Sequence, residues 1–133
     1  MDLSDLRPLV RPLAEAEGLR LVVVFGSAAR NEPLRADLDL ALKGEGPLDM
    51  VRLTNLFMRH LARGDLDLAD LTTADPVLLL AVANEGIPLY EDEPGRFVRF
   101  QSLAARRFHD TRKFRDAERE QIRAFIERTR DAS

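Results

Sequence analysis

The sequence contains no cysteine, no long apolar run and few aromatic residues. Without cysteine there is no disulfide framework and no thiolate metal site, so any metal ion must be held by oxygen or histidine. No apolar run approaches the ~20 residues that a membrane-spanning helix needs. The acidic, proline-containing N-terminus also lacks the basic start and apolar stretch of a signal peptide. We therefore expect a cytoplasmic protein without a membrane anchor.

The chain divides by charge into two parts. Its 133 residues predict one domain, with a core at residues 1–95 and a C-terminal helical segment at residues 96–133. The first part contains nine Arg or Lys and seventeen Asp or Glu, and the second contains eleven against six. A basic segment could contact nucleic acid, nucleotide phosphates or an acidic partner. The interleaved acids are also typical of a solvated helix face.

Hydrophobic periodicity predicts strands alternating with helices, and together with the family resemblance described below it leads us to expect an α/β (α+β) fold with a small mixed β-sheet backed by helices. We expect strands at 19–25, 37–42 and 65–68, and an edge strand at 87–90, because proline cannot donate to a central ladder. We expect helices at 5–17 closed by Gly18, at 46–63 ended by Gly64, at 76–86 capped by Asp75, and from 96 onward as one helix or two in line. Pro8 and Pro12 leave the start of the first helix open.

Gly26 and Ser27 directly follow the first apolar strand. A glycine there allows a tight turn and a close approach to a ligand, and a helix beginning at Ser27 would point free N–H groups at an anion. The same pattern is also found at an ordinary helix N-cap.

Asp37 and Asp39 alternate with leucines, so they should share the face of the strand opposite the apolar one. Two such carboxylates either face bulk water or share a hard cation such as Mg²⁺. Asp67 has the matching parity on the third strand and is the candidate third carboxylate. Asp65 is more simply a turn residue, and Asp70 a hydrogen-bonding residue at the strand end before Thr72. Three convergent carboxylates beside a Gly-Ser turn fit two-metal nucleotidyl transfer.

The chain resembles the minimal nucleotidyltransferases (MNT) of the DNA polymerase β superfamily, which include the MntA-like antitoxins paired with HEPN-domain toxins. The matching segments are Gly26-Ser27, Asp37-Leu38-Asp39, Asp67-Leu68-Ala69-Asp70-Leu71 and Glu85-Gly86-Ile87-Pro88-Leu89-Tyr90-Glu91. The resemblance implies that Asp37, Asp39 and Asp67 are catalytic and bind Mg²⁺, with two ions expected. It also implies that Gly26 and Ser27 bind the triphosphate of ATP.

By the same resemblance, residues 1–95 form a catalytic core that moves AMP from ATP onto a hydroxyl. The implied acceptor is a tyrosine of a HEPN ribonuclease toxin, and the transfer would silence the toxin. Two alternatives are transfer to a small molecule and an antitoxin that only binds its toxin. Nucleic acid is an unlikely partner, because the acidic first part would repel phosphates.

The sequence departs from the family pattern at three points. Asn31 stands where the family usually has glycine, Ala36 stands where it usually has serine, and nine rather than ten residues separate Ser27 from Asp37. None of these changes removes a metal ligand. Arg30 could reach a phosphate, whereas His60 and His109 have no second ligand at metal spacing and are expected to be structural or exposed.

Overall fold

The computed structural model describes residues 3–30 and 37–131, except for the side chains of Ser27, Arg30, Lys113 and Asp131. The elements in chain order are α1 (Leu3–Ala16), β1 (Leu21–Phe25), a 3-10 helix (Gly26–Arg30), β2 (Leu38–Lys43), α2 (Met50–Leu61), β3 (Leu66–Asp70), α3 (Pro76–Glu85), β4 (Ile87–Glu91) and α4 (Arg96–Asp131).

The four strands form one mixed sheet in the order β3-β2-β1-β4. β1 is antiparallel to both β2 and β4, whereas β2 and β3 are parallel and are connected through α2. The predicted mixed sheet backed by helices is therefore confirmed. β4 lies at an edge as expected, with a register shift against β1 between Val22 and Val23.

Helices cover both faces of the sheet. On one face, buried leucines of β2 and β3 pack with α1 and α2 in a core that includes Leu6, Leu40 and Phe57. On the other face, Val23 and Ala41 pack with α3 and the first turns of α4. Asp39 belongs to this second face, because side chains alternate along a strand.

α1 is longer at its start than expected and contains both prolines. Proline removes a helix hydrogen bond and usually breaks a helix. Pro8 and Pro12 lie on the exposed side, while the opposite side buries apolar residues against the sheet. Packing of that side therefore holds the helix together. Gly18, with φ +66°, forms the turn that follows.

α2 is shorter than predicted, because it begins at Met50 and ends at Leu61. The Leu48 N–H donates to Asp70 Oδ2 at 2.9 Å, which fixes the preceding segment as a loop. Asp49 then caps the helix by accepting from the Arg52 N–H at 3.2 Å. Ala62, with φ +54°, takes the left-handed position at the end, so the expectation that Gly64 ends this helix was wrong.

α3 begins and ends at the capping residues that the sequence predicts. Asp75 accepts from the Leu78 N–H at 2.9 Å, Pro76 is the first residue and Gly86 follows the last.

His60 is structural as expected: its Nε2 donates to the Leu9 carbonyl at 2.6 Å and thereby joins α2 to α1. His109 lies on the exposed surface.

The C-terminal segment is one continuous helix, α4, rather than two in line. Its first turns bury Phe97, Phe100 and Ala104 against the second face of the sheet. Among the helices of the described ranges, none combines the length and apolarity required to cross a bilayer.

Candidate active site

The parallel pairing of β2 and β3 places two of the predicted carboxylates directly opposite each other. Asp39 is the register partner of Asp67, and the apolar residues Leu38 and Leu66 pair one step earlier. Neighbouring strands lie about 4.8 Å apart, and paired residues share a face. The expectation that Asp39 and Asp67 lie on the side opposite the leucines is thus met. Asp37 lies exposed just before β2.

Charge repulsion among these carboxylates is visible at Asp39. Partial burial raises the pKa of Asp39, and the nearby negative charges of Asp67 and Asp37 raise it further. A like charge nearby disfavours ionisation of a carboxylate. Asp67 and Asp37 therefore both act on Asp39 at this end of the sheet, and a cation placed beside Asp39 would relieve the repulsion.

Gly26 brings the turn after β1 against the same carboxylates. Its φ of +73° is in the left-handed region, which favours glycine. A Cβ at this position would lie only 2.6 Å from Asp39 Oδ2. Two independent constraints therefore require glycine here, and the turn contacts Asp39 directly.

The turn continues into the 3-10 helix Gly26–Arg30 rather than a regular helix starting at Ser27. The backbone of Ser27 lies in its first turn. The side chains of Ser27 and Arg30 lie outside the described part of the chain, as do Asn31 and Ala36. Their predicted contributions to phosphate binding stay predictions.

The donor chemistry of this end of the sheet suits Mg²⁺. Across the described ranges, no three aspartate, glutamate or histidine side chains come together in a complete cation site. Mg²⁺ does not need one, because in nucleotide sites it is held by one or two carboxylates together with substrate phosphates and waters. The facing carboxylates of Asp39 and Asp67 fit that requirement.

Two other aspartates, Asp65 directly before β3 and Asp70 at its end, have different partners. Asp65 forms an ion pair with Arg63, with Nη2 2.7 Å from Oδ2. Asp70 is buried and accepts from the backbone N–H groups of Leu48 and Thr72, each at 2.9 Å. Both are accounted for structurally, as the sequence predicted for Asp70.

Lys43 was not singled out from the sequence. It ends β2 on the same face as Asp39, with Nζ 3.4 Å from Thr72 Oγ1. Burial and then Arg107 lower the pKa of Lys43. The alternation Asp37, Asp39, Ala41, Lys43 is the signal that could have placed it on this face. It lies at the far end of β2 from the carboxylates.

A glycine turn beside paired carboxylates on neighbouring strands defines a candidate nucleotide-binding site. Residues 9–94 match the family model described as Polymerase beta, Nucleotidyltransferase. This chain therefore belongs to that nucleotidyltransferase family. A search of curated proteins returned no match.

Solved structures with a similar fold come from toxin–antitoxin complexes. One, described as a toxin–antitoxin with AMP-PNP, aligns with a TM-score of 0.74 and 22% identity over 87% of this chain and 97% of that chain. Another, described as the tri-AMPylated Shewanella oneidensis HEPN toxin in complex with MNT antitoxin, gives 0.68 and 23% over 90% and 94%. An MntA–HepT complex gives 0.60 and 24% over 93% and 95%. These likenesses confirm the nucleotidyltransferase fold.

Proposed function

We propose that this protein transfers AMP from ATP to a tyrosine hydroxyl of a HEPN ribonuclease toxin and thereby acts as its antitoxin. The observation that carries the proposal is the contact of Gly26 with Asp39, which itself faces Asp67. Family membership supports nucleotidyl transfer. The similar folds described with AMP-PNP and with an AMPylated HEPN toxin support the nucleotide and the acceptor.

In this proposal, Asp37, Asp39 and Asp67 hold two Mg²⁺ ions, and the backbone of Gly26 and Ser27 orients the triphosphate. Bound Mg²⁺ neutralises the triphosphate and lowers the pKa of an attacking hydroxyl. The acceptor oxygen forms a bond to the α-phosphorus, the α–β phosphoanhydride bond breaks, and pyrophosphate leaves. Asp67 lies on the acceptor side and takes the hydroxyl proton.

We further propose that the chain is a single domain made of two functionally different segments. Residues 1–95 form the catalytic core, which contains every proposed ligand, and residues 96–133 form the C-terminal helical segment. The family match over residues 9–94 agrees with this division.

The test is transfer of label from α-labelled ATP, with Mg²⁺, into the proteins of the source cell's lysate. The wild-type chain is compared with Asp37→Asn/Asp39→Asn and with Asp65→Asn as a matched control. We expect one discrete labelled protein. The double variant should lose at least about 10³-fold in rate, since metal stabilisation contributes several kcal/mol. Asp65→Asn should label normally, because Asp65 pairs with Arg63.

Two results would overturn the proposal. Labelling that survives in the double variant would remove the carboxylates from the reaction. An absence of any labelled protein, with ATP or with the other nucleotides, would favour a small-molecule acceptor or an antitoxin that only binds.

A further inference from the structure

The C-terminal three-quarters of α4 extends beyond the body of the protein. In residues 105–131, here called the overhang, almost all of the described side chains are exposed. At 1.5 Å per residue these residues span about 40 Å. An isolated helix of this kind is only marginally stable in water, and packing normally provides most of its stability. The overhang therefore lacks the support that the first turns of α4 obtain from the sheet.

Large apolar side chains lie exposed on the overhang. Phe114 is 74% exposed, Ile122 60%, Phe125 63% and Ile126 49%. Ile122, Phe125 and Ile126 follow helical spacing, and Phe114 lies eleven residues, or about three turns, before Phe125. They form one side of the helix, here called the apolar strip. Grouped exposed apolar residues mark a protein interaction site.

The surroundings of the apolar strip are basic. Ile122 and Ile126 are flanked on the helix surface by three arginines and one acid, namely Arg119, Arg123, Arg130 and Glu127. The overhang as a whole contains nine basic and six acidic residues. A second copy of this chain would bring one net positive overhang against another. Nucleic acid would meet six interleaved acids and an apolar centre. A protein surface with an apolar centre and an acidic rim complements both features.

The overhang leaves the body of the protein on the face of the sheet that carries Asp39, at the Lys43 end of β2, since Arg107 near the start of the overhang acts on Lys43. The first turns of α4 pack on Val23 and Ala41, which lie on the same side of the sheet as Asp39. A protein bound along the overhang is thereby tethered to the chain that carries the carboxylates. Tethering raises the effective concentration of its hydroxyl at the site.

We propose that the apolar strip is the docking surface for the protein that accepts AMP, and that the acceptor presents an apolar, acid-rimmed surface to it. This inference rests on the proposed function. It adds the surface by which the acceptor is recognised, separate from the residues that react.

The test compares Ile122→Gln/Phe125→Gln with Val51→Gln/Val98→Gln. Glutamine favours a helix, so the change removes apolar surface without unwinding α4. The control replaces valines that are 76% and 62% exposed on helices of the body. Initial labelling rates in the lysate are measured over a range of chain concentrations. MgATP affinity by calorimetry and helix content by circular dichroism are measured without partner.

We expect the strip variant to need at least about tenfold more protein for the same labelling rate, as loss of interface anchors predicts. Its MgATP affinity and helix content should equal those of the control. If the helix content falls, Phe114→Gln/Ile126→Gln replaces the variant with the same expectation.

Several outcomes would overturn the docking proposal. Equal labelling by the strip variant and the control would exclude the strip as the acceptor surface. If sedimentation equilibrium showed that wild type is a dimer and that the strip variant is a monomer, the strip would be assigned to self-association. If nuclease treatment of the lysate abolished the higher labelling rate of wild type over the strip variant, the strip would be assigned to nucleic acid binding. If wild type and control bind MgATP but label nothing, the proposed function fails, and this docking partner fails with it.

Discussion

Asp39 and Asp70 lie on neighbouring strands of one sheet but in opposite circumstances. Asp70 is buried, and its two oxygens accept from the backbone N–H groups of Leu48 and Thr72. Asp39 is only partly buried, faces Asp67 in the ladder and is closely approached by Gly26. One carboxylate is surrounded by donors, and the other by negative charge.

The difference shows how an aspartate's surroundings distinguish a structural role from a catalytic one. A buried carboxylate satisfied by N–H groups stabilises the fold and needs no cation. Carboxylates placed side by side repel each other, and under the proposed function a bound cation relieves that repulsion. Three substitutions test this contrast, in order of decreasing effect.

Asp70→Ala should destabilise the protein without affecting the chemistry. It leaves two N–H groups without their charged acceptor, which costs about 3 kcal/mol or more in free energy of unfolding. Urea denaturation measures this loss as a lower midpoint, provided that the dependence of the unfolding free energy on urea concentration keeps the same slope. Asp75→Ala is the control: Asp75 caps α3 through one exposed hydrogen bond, so about 1 kcal/mol is expected.

Nucleotidyl transfer per folded molecule should be unchanged in Asp70→Ala. A large loss of transfer with little loss of stability would place Asp70 in the active site and erase the contrast with Asp39.

Local pattern was enough to predict part of this site. The alternation along β2 and β3 placed Asp39 and Asp67 on one face, and the spacing around Asp75 and Pro76 located α3. The family resemblance supplied the proposed roles. Periodicity reports which face a side chain takes, so these predictions needed no knowledge of distant residues.

Contacts between distant residues could not be predicted. The bond from Leu48 to Asp70 delays the start of α2, and packing of the buried side of α1 holds a helix through Pro8 and Pro12. The approach of Gly26 to Asp39 likewise depends on how β1 pairs with β2. Such features arise from tertiary structure, which overrides local propensity.

Gly26→Ala should have an intermediate effect. The left-handed backbone alone costs about 1 kcal/mol for a residue with a Cβ, and the contact with Asp39 Oδ2 adds to this cost. Gly18→Ala is a matched control, because Gly18 has φ +66° but no atom within 4 Å of the added Cβ. We expect Gly26→Ala to lose about 2 kcal/mol of stability and most of its MgATP affinity, measured by calorimetry.

Gly18→Ala should lose only the backbone cost and keep its MgATP affinity. Equal effects of the two substitutions would mean that the turn can move away from Asp39, and that its proximity to the carboxylates has no role in nucleotide binding.

Asp39→Asn should have the smallest effect on stability, and with the opposite sign. Burial, Asp67 and Asp37 raise the pKa of folded Asp39 above its unfolded value of about 3.9. In the pH window between the unfolded and the folded pKa, the folded state therefore binds more protons than the unfolded state. Stability therefore falls as pH rises through the window. Without Mg²⁺ at pH 7, the variant should be more stable than wild type, by less than about 1 kcal/mol because water screens these carboxylates.

The gain from Asp39→Asn should shrink as pH falls and vanish well below the unfolded pKa of about 3.9, where wild-type Asp39 is protonated in both the folded and the unfolded state. Added Mg²⁺ with ATP should raise the melting temperature of wild type more than that of the variant, since binding to the folded state stabilises it. Thermal denaturation across pH, with and without MgATP, measures both effects. Lower stability of the variant at pH 7 would show that the ionised carboxylate is already stabilised by the protein. In that case Asp39 would resemble Asp70, and a cation would not be needed to explain it.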